Sequence, residues 1–136
     1  MESTTQVLVV ANRTADSDEL FSALKERAGK GSICITLLVP QDSRGGMGKR
    51  LNSALKRLHE AGIDAVGMLG DVDPIIAVQD ELDAEKFDEV IVSTLPADES
   101  RWMELEVPER IAKLTGAPVS HVVSTEVRPF APTPTG

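Results

Sequence analysis

The chain has 136 residues, 22 acidic and 14 basic side chains, a formal net charge of −8 and 41% apolar residues. That length and composition suit one compact domain with its own core and exclude wholesale disorder. The acidic balance argues against nucleic acid as a partner, and a single cysteine, Cys34, excludes an internal disulfide framework and a cysteine-based zinc cluster.

Five apolar runs alternate with four amphipathic stretches. Val7 to Ala11 predicts the first strand. Asp16 or Ser17 is placed to cap the helix after it, whose apolar face is Leu20, Phe21, Leu24 and Ala28 and which Gly29 closes. Ile33 to Val39 predicts the second strand. The second helix repeats Leu51, Ala54, Leu55, Leu58 and Ala61 at helical spacing and stops at Gly62. Ala65 to Leu69 predicts the third strand, and the next helix opens with Asp73 as N-cap and Pro74 at its first position. Val90 to Leu95 predicts the fourth strand. The last helix has Pro108 near its start, then Ile111 and Leu114, and stops at Gly116 before a fifth strand, Val119 to Val123.

Four of the runs are nearly continuous rather than alternating, which predicts strands buried on both faces of a parallel sheet. The fifth is less apolar and suits an edge. Strict β-α alternation predicts a three-layer α/β/α sandwich: a five-stranded parallel sheet with right-handed crossovers and two helices on each face. The doubly wound orders 2-1-3-4-5 and 3-2-1-4-5 both fit, and 3-2-1-4-5 is the expectation. Residues 1–123 are expected to form a single α/β domain. Residues 124–136, with Pro129, Pro132 and Pro134, read as a C-terminal arm or flexible tail. No stretch reaches the ~18–20 apolar residues of a membrane span, and Met1 to Gln6 lacks a basic-then-apolar leader. A cytoplasmic location without membrane contact is the expectation.

In an open α/β sheet a ligand sits outside the carboxyl ends of the strands, where the strand order reverses. That points to Asn12, Arg13 and Thr14 after the first strand, and to Ser93, Thr94, Ser100 and Arg101 after the fourth. Hydroxyls and arginines are groups that bind phosphate or ribose. The same side chains also satisfy turn backbone and cap helices in many proteins, and both readings stay open.

Other chemistries find no support. The string Ser43-Arg44-Gly45-Gly46-Met47-Gly48-Lys49-Arg50 matches the phosphate-binding P-loop at Gly48 and Lys49, but has serine where the first glycine belongs and arginine where a hydroxyl must hold magnesium. Arg44 or Lys49 remains available to a nearby anion. His59 and His121 are isolated and give no metal-ligand spacing. No nucleophile elbow and no general base near the two loops point to catalysis. No catalytic residue, no metal and no enzyme activity are expected.

Three strings resemble the universal stress protein family. Val7-Leu8-Val9-Val10-Ala11-Asn12-Arg13-Thr14 is similar to its opening strand and ligand loop. Gly70-Asp71-Val72-Asp73-Pro74-Ile75-Ile76 is similar to its Gly-Asp-Pro stretch. Val107-Pro108-Glu109-Arg110-Ile111 with Ala117-Pro118-Val119 resembles its last helix and strand. The resemblance implies an adenine-nucleotide-binding-like α/β fold and a stress-response role. ATP-binding members carry a G-x-x-G motif, nine residues, then glycine and a hydroxyl residue after the fourth strand, where the glycines let backbone amides reach phosphate. This chain has no glycine between Gly70 and Gly116, so that motif is absent. Asn12 stands where the family usually has an aspartate.

The expectation is therefore a universal stress protein-like regulatory or binding module that does not bind ATP in the family's usual mode. The resemblance also implies a homodimer through the last strand, from Val119 to Val127. The alternative is a protein that binds a nucleotide, ATP included, or another phosphorylated metabolite through the two loops. The charge is uneven along the chain. Arg44 to Arg57 holds five basic residues and no acid, whereas Asp64 to Glu109 holds 14 acids and two bases. The basic stretch is where a small anionic ligand would dock.

Overall fold

The structure, a computed structural model, describes residues 4–11, 13–41, 46–94, 102 and 106–124. Their elements run β1 (Thr5–Val10), α1 (Asp18–Ala28), β2 (Ile33–Pro40), α2 (Met47–Glu60), β3 (Asp64–Gly70), α3 (Pro74–Ala84), β4 (Glu89–Thr94), α4 (Val107–Thr115) and β5 (Val119–Val123). The five strands form one sheet in the order β3-β2-β1-β4-β5. Every pairing is parallel.

Each face of the sheet is covered by two helices. Val7, Val9, Ile35 and Leu37 pack beneath α1 and α2 with Leu20, Leu24, Leu51 and Leu58. Leu8, Val10, Val90 and Val92 pack on the other face with Val78 of α3 and Val107 and Ile111 of α4. This is why β1 reads as an unbroken apolar run: Val7 through Ala11 are all fully buried. At ~1.5–3 kcal/mol per buried large aliphatic side chain, these two layers are the main source of stability.

The helix ends follow their sequence signals. Ser17 caps α1, its Oγ accepting from Leu20 N at 3.2 Å. Asp73 caps α3, its Oδ1 accepting from Ile75 N at 2.8 Å, with Pro74 at the first position. Gly116 ends α4 with φ of 69°, a left-handed conformation that disfavours other residues.

Two expectations need correction. β3, at an edge as the order 3-2-1-4-5 implies, is not buried on both faces. Val66 and Met68 are exposed because α3 crosses the sheet at the carboxyl end of β3 and leaves its middle bare. Cys34 is half-buried rather than a core residue: it faces the α3–α4 side of β2, opposite Ile33 and Ile35, which are buried on the α1–α2 side. β5 forms the opposite edge, as its weaker hydropathy implied.

Glycine permits close layering at β3. A Cβ on Gly67 would lie 2.6 Å from Leu51 Cδ1 and 2.7 Å from Leu55 Cδ1. A Cβ on Gly70 would lie 2.7 Å from Ala77 Cβ on the opposite face. At the amino end of the sheet, Arg27 at the end of α1 makes a two-pronged ion pair with Glu89 of β4, Nη2 to Oε2 at 2.6 Å and Nε to Oε1 at 3.0 Å. No helix among the described residues is long and apolar enough to cross a membrane.

Candidate functional site

The chain leaves β1 toward β2 and β3 on one side, and returns to place β4 and β5 on the other. The reversal therefore lies between β1 and β4, and the crevice expected of such a sheet opens at their carboxyl ends. The turn after β1 is held by Ser17 N donating to the Thr14 carbonyl at 3.0 Å.

This topology brings two of the sequence-predicted residues into contact. Thr14 and Ser93 are both buried, and their hydroxyl oxygens lie 2.7 Å apart at the carboxyl ends of β1 and β4. A second hydroxyl pair stands beside it: Ser17 Oγ and Ser124 Oγ are 2.8 Å apart, and Ser124 N donates to the Thr94 carbonyl at 2.8 Å. All four hydroxyls lie on the α1 side of the sheet.

Thr94 is placed differently. Successive strand residues face opposite sides, so Thr94 turns to the α3–α4 face, where its Oγ1 lies 2.7 Å from His121 Nε2. It does not join Thr14 and Ser93. The candidates Asn12, Ser100 and Arg101 lie outside the described residues, as do Ser43 and Arg44 of the glycine loop.

Arg13 contributes its backbone: its carbonyl accepts from Arg50 Nη1 at 3.2 Å. Arg50 also pairs with Asp16, Nη1 to Oδ1 at 3.1 Å, and its side chain is only 12% exposed. Arg50 thus ties the start of α2 to the loop after β1. Sequence reasoning did not single it out for the site. The available signal was its position in the first turn of α2, where a cation opposes the helix dipole and calls for another reason to be there. That turn also holds Lys49, contains no acid, and has no side-chain cap at Gly46. Two cations, Lys49 and Arg50, accordingly stand in the first turn of α2, and Arg50 reaches the loop after β1.

Beside the crevice, a narrow recess between α1 and α2 is lined by Ala15, Asp16, Phe21, Leu24, Ala54 and Arg57. Arg57 closes it, its guanidinium 4.1 Å from the Phe21 ring centroid and bonded to Asp18 at 3.1 Å. The described residues contain no cluster of three His, Cys, Asp or Glu able to hold a metal ion.

A parallel α/β sheet with a switch-point crevice defines the architecture, and comparison with known proteins narrows it. No family model and no curated protein matches the sequence. Among solved structures, the chain is similar to a universal stress protein in complex with cAMP, at 21% identity and a TM-score of 0.61, covering 90% of this chain and 100% of that one. It is similar to a universal stress protein family protein of Arabidopsis thaliana with AMP bound, at 17% identity and a TM-score of 0.61, covering 89% and 92%. A protein of Mycobacterium tuberculosis is also similar, at 18% identity and a TM-score of 0.52, covering 93% and 100%. The chain has the universal stress protein fold.

Proposed function

We propose that this protein is a regulatory binding module that takes a nucleotide or related phosphorylated ligand at the crevice between β1 and β4. The observation that carries this reading is the Thr14–Ser93 contact, which joins the loop after β1 to the carboxyl end of β4 across the strand reversal, with Arg50 braced beside it. Two solved structures of the same fold hold AMP and cAMP, which makes adenine monophosphates the first ligands to try.

The binding mode in this reading does not use a glycine loop. The sequence has no glycine between residues 70 and 116, so the glycines that let backbone amides approach a triphosphate in such loops are missing after β4. The anion is instead received by Arg50, Lys49 and the amino end of α2. Thr14 and Ser93 already satisfy each other, so they shape the floor of the crevice. Asn12, Ser100 and Arg101 complete the reading as candidate ligand contacts. A homodimer formed through the β5 edge is part of the same proposal.

Calorimetry with AMP, cAMP and ATP tests the ligand class. Binding of a monophosphate that Arg50→Ala weakens by about tenfold or more supports the reading. Micromolar or tighter ATP binding that persists in Arg50→Ala would overturn the proposed mode. Mass spectrometry of the protein as purified reports any retained ligand. Light scattering tests the dimer, and a monomeric mass at high concentration would refute it.

A further inference from the structure

The outer edge of β3 carries apolar surface that nothing among the described residues covers. Gly67 faces α2, so strand alternation turns Val66, Met68 and Gly70 to the α3 side. α3 covers only the last of these, where Gly70 approaches Ala77. Val66 is 55% exposed and Met68 39%, and Val72 and Ile76, at 62% and 42%, extend the strip along the connection to α3.

The backbone of this edge is open as well. Gln41 N donates to the Gly70 carbonyl, so the even-numbered residues of β3 turn their peptide groups toward β2. The groups of Ala65, Gly67 and Leu69 therefore face outward. His59 Nε2 meets the Ala65 carbonyl at 2.8 Å. Among the described residues no strand pairs with the outer side of Gly67 and Leu69. Protected edges usually carry a bulge, a proline or an inward charge; the middle of this one carries valine, glycine, methionine and leucine.

The surroundings are strongly acidic. Residues 58–85 include eight carboxylates and neither lysine nor arginine. Ile76, Asp80 and Asp83 fall on one face of α3 at positions i, i+4 and i+7, so exposed carboxylates continue the apolar strip. Asp80, Glu81 and Asp83 also crowd the carboxyl end of α3, where the helix dipole disfavours negative charge and the last turn holds no base. Burial, then the neighbouring charges of Glu85 and Asp80, push the Glu81 carboxyl up from its ordinary range. An arrangement that costs the isolated chain stability is compensated when a cation arrives from outside.

We propose that the outer edge of β3 is a docking site for an extended basic segment of a partner protein. The segment adds to the sheet as a sixth strand, sets alternate apolar side chains on Val66 and Met68, and brings lysine or arginine to Asp71 and Asp80. A second copy fits poorly. The chain's own basic stretch is wound into α2, and antiparallel pairing of β3 with itself brings Asp64 of one copy near Asp71 of the other.

The probe is a short labelled peptide of alternating valine and lysine, titrated by fluorescence anisotropy and followed by amide NMR. Binding should shift the Gly67 and Leu69 amides and weaken with salt. Val66→Lys and Asp80→Lys should each weaken it by about tenfold, whereas Val123→Lys on the far edge should not. Leu69→Pro removes an outward N–H without touching the β2 ladder and should weaken it similarly; melting curves confirm that each variant is folded, and the two lysine variants decide the matter if the proline variant is not. No binding, equal binding of a valine–glutamate peptide, shifts confined to β5, or indifference to Val66→Lys and Asp80→Lys would overturn the proposal. So would self-association of the protein that Val66→Lys abolishes, which would make the occupant a second copy.

Discussion

Ser17 and Ser124, 107 residues apart in the chain, meet through their hydroxyls at 2.8 Å in a buried setting. Ser17 is also the N-cap of α1, so one side chain both starts a helix and holds Ser124, the residue that follows β5. Ser124→Ala is expected to cost ~1 kcal/mol, the usual net worth of a hydrogen bond. Ser17→Ala loses the cap as well and should cost ~1–2 kcal/mol. The double variant should cost less than the sum, because both singles break the same bond. Chemical denaturation checks all three.

The Thr14–Ser93 pair makes a similar case nearer the proposed ligand. Thr14→Val keeps the shape and strands the Ser93 hydroxyl in a buried site, a loss of ~1–3 kcal/mol. Combining it with Ser93→Ala removes both polar groups and should recover part of that loss. Thermal melts of the two singles and the double measure it.

The Arg27–Glu89 ion pair sets a pH dependence. The hydrogen bonds from Arg27 hold the Glu89 carboxyl below its ordinary range. The folded state therefore binds this proton less readily than the unfolded chain. The stabilisation is present above the ordinary carboxylate range and is lost as pH falls through the lowered value. Both side chains are partly exposed, 24% and 29%, so ~1 kcal/mol is the expected scale. Glu89→Gln should be less stable than the native chain at neutral pH, and the difference should vanish in acid. Denaturation midpoints across pH read this directly.

Glu81 carries the opposite sign. Its carboxyl sits above the ordinary range, so its ionisation on going from acid to neutral pH disfavours the folded state. Glu81→Gln should stabilise the protein at neutral pH by ~0.2–0.5 kcal/mol, the scale of one like-charge helix pair removed. The gain should disappear in acid, and melting curves at both pH values check it.

The two glycines of β3 should respond unequally to alanine. At Gly67 the new Cβ meets the tips of Leu51 and Leu55, which rotate aside. At Gly70 it meets Ala77 Cβ, which moves only with the helix backbone. Gly70→Ala should cost ~1–3 kcal/mol and Gly67→Ala less. Urea unfolding of the two variants ranks them.

The strand runs were legible because a buried parallel strand has no solvent face to encode, and the caps because Ser17 and Asp73–Pro74 act locally. The exposure of β3 was not legible: valine and methionine are apolar whether or not a helix lies over them, and where α3 crosses the sheet is a tertiary fact. Thr14 and Ser93 were found because the strand order alone places β1 beside β4. Thr94 sits one residue further along β4, and the pleat sends it to the other face. Arg50 was missed because its partners, Arg13 and Asp16, stand 37 and 34 residues away and are reached by a long side chain.

The central position of β1 has a consequence for the nascent chain. β1 is made first, finds β2 within 35 residues, and then keeps its second edge open until residues 89–92 exist to pair with Val7 through Val10. That late, non-local closure is slow compared with the neighbouring pairings. The seam it closes is the same one that holds Thr14 against Ser93. The crevice therefore forms only once both halves of the sheet exist, and a ligand bound there, as proposed, would hold those halves together and stabilise the folded chain.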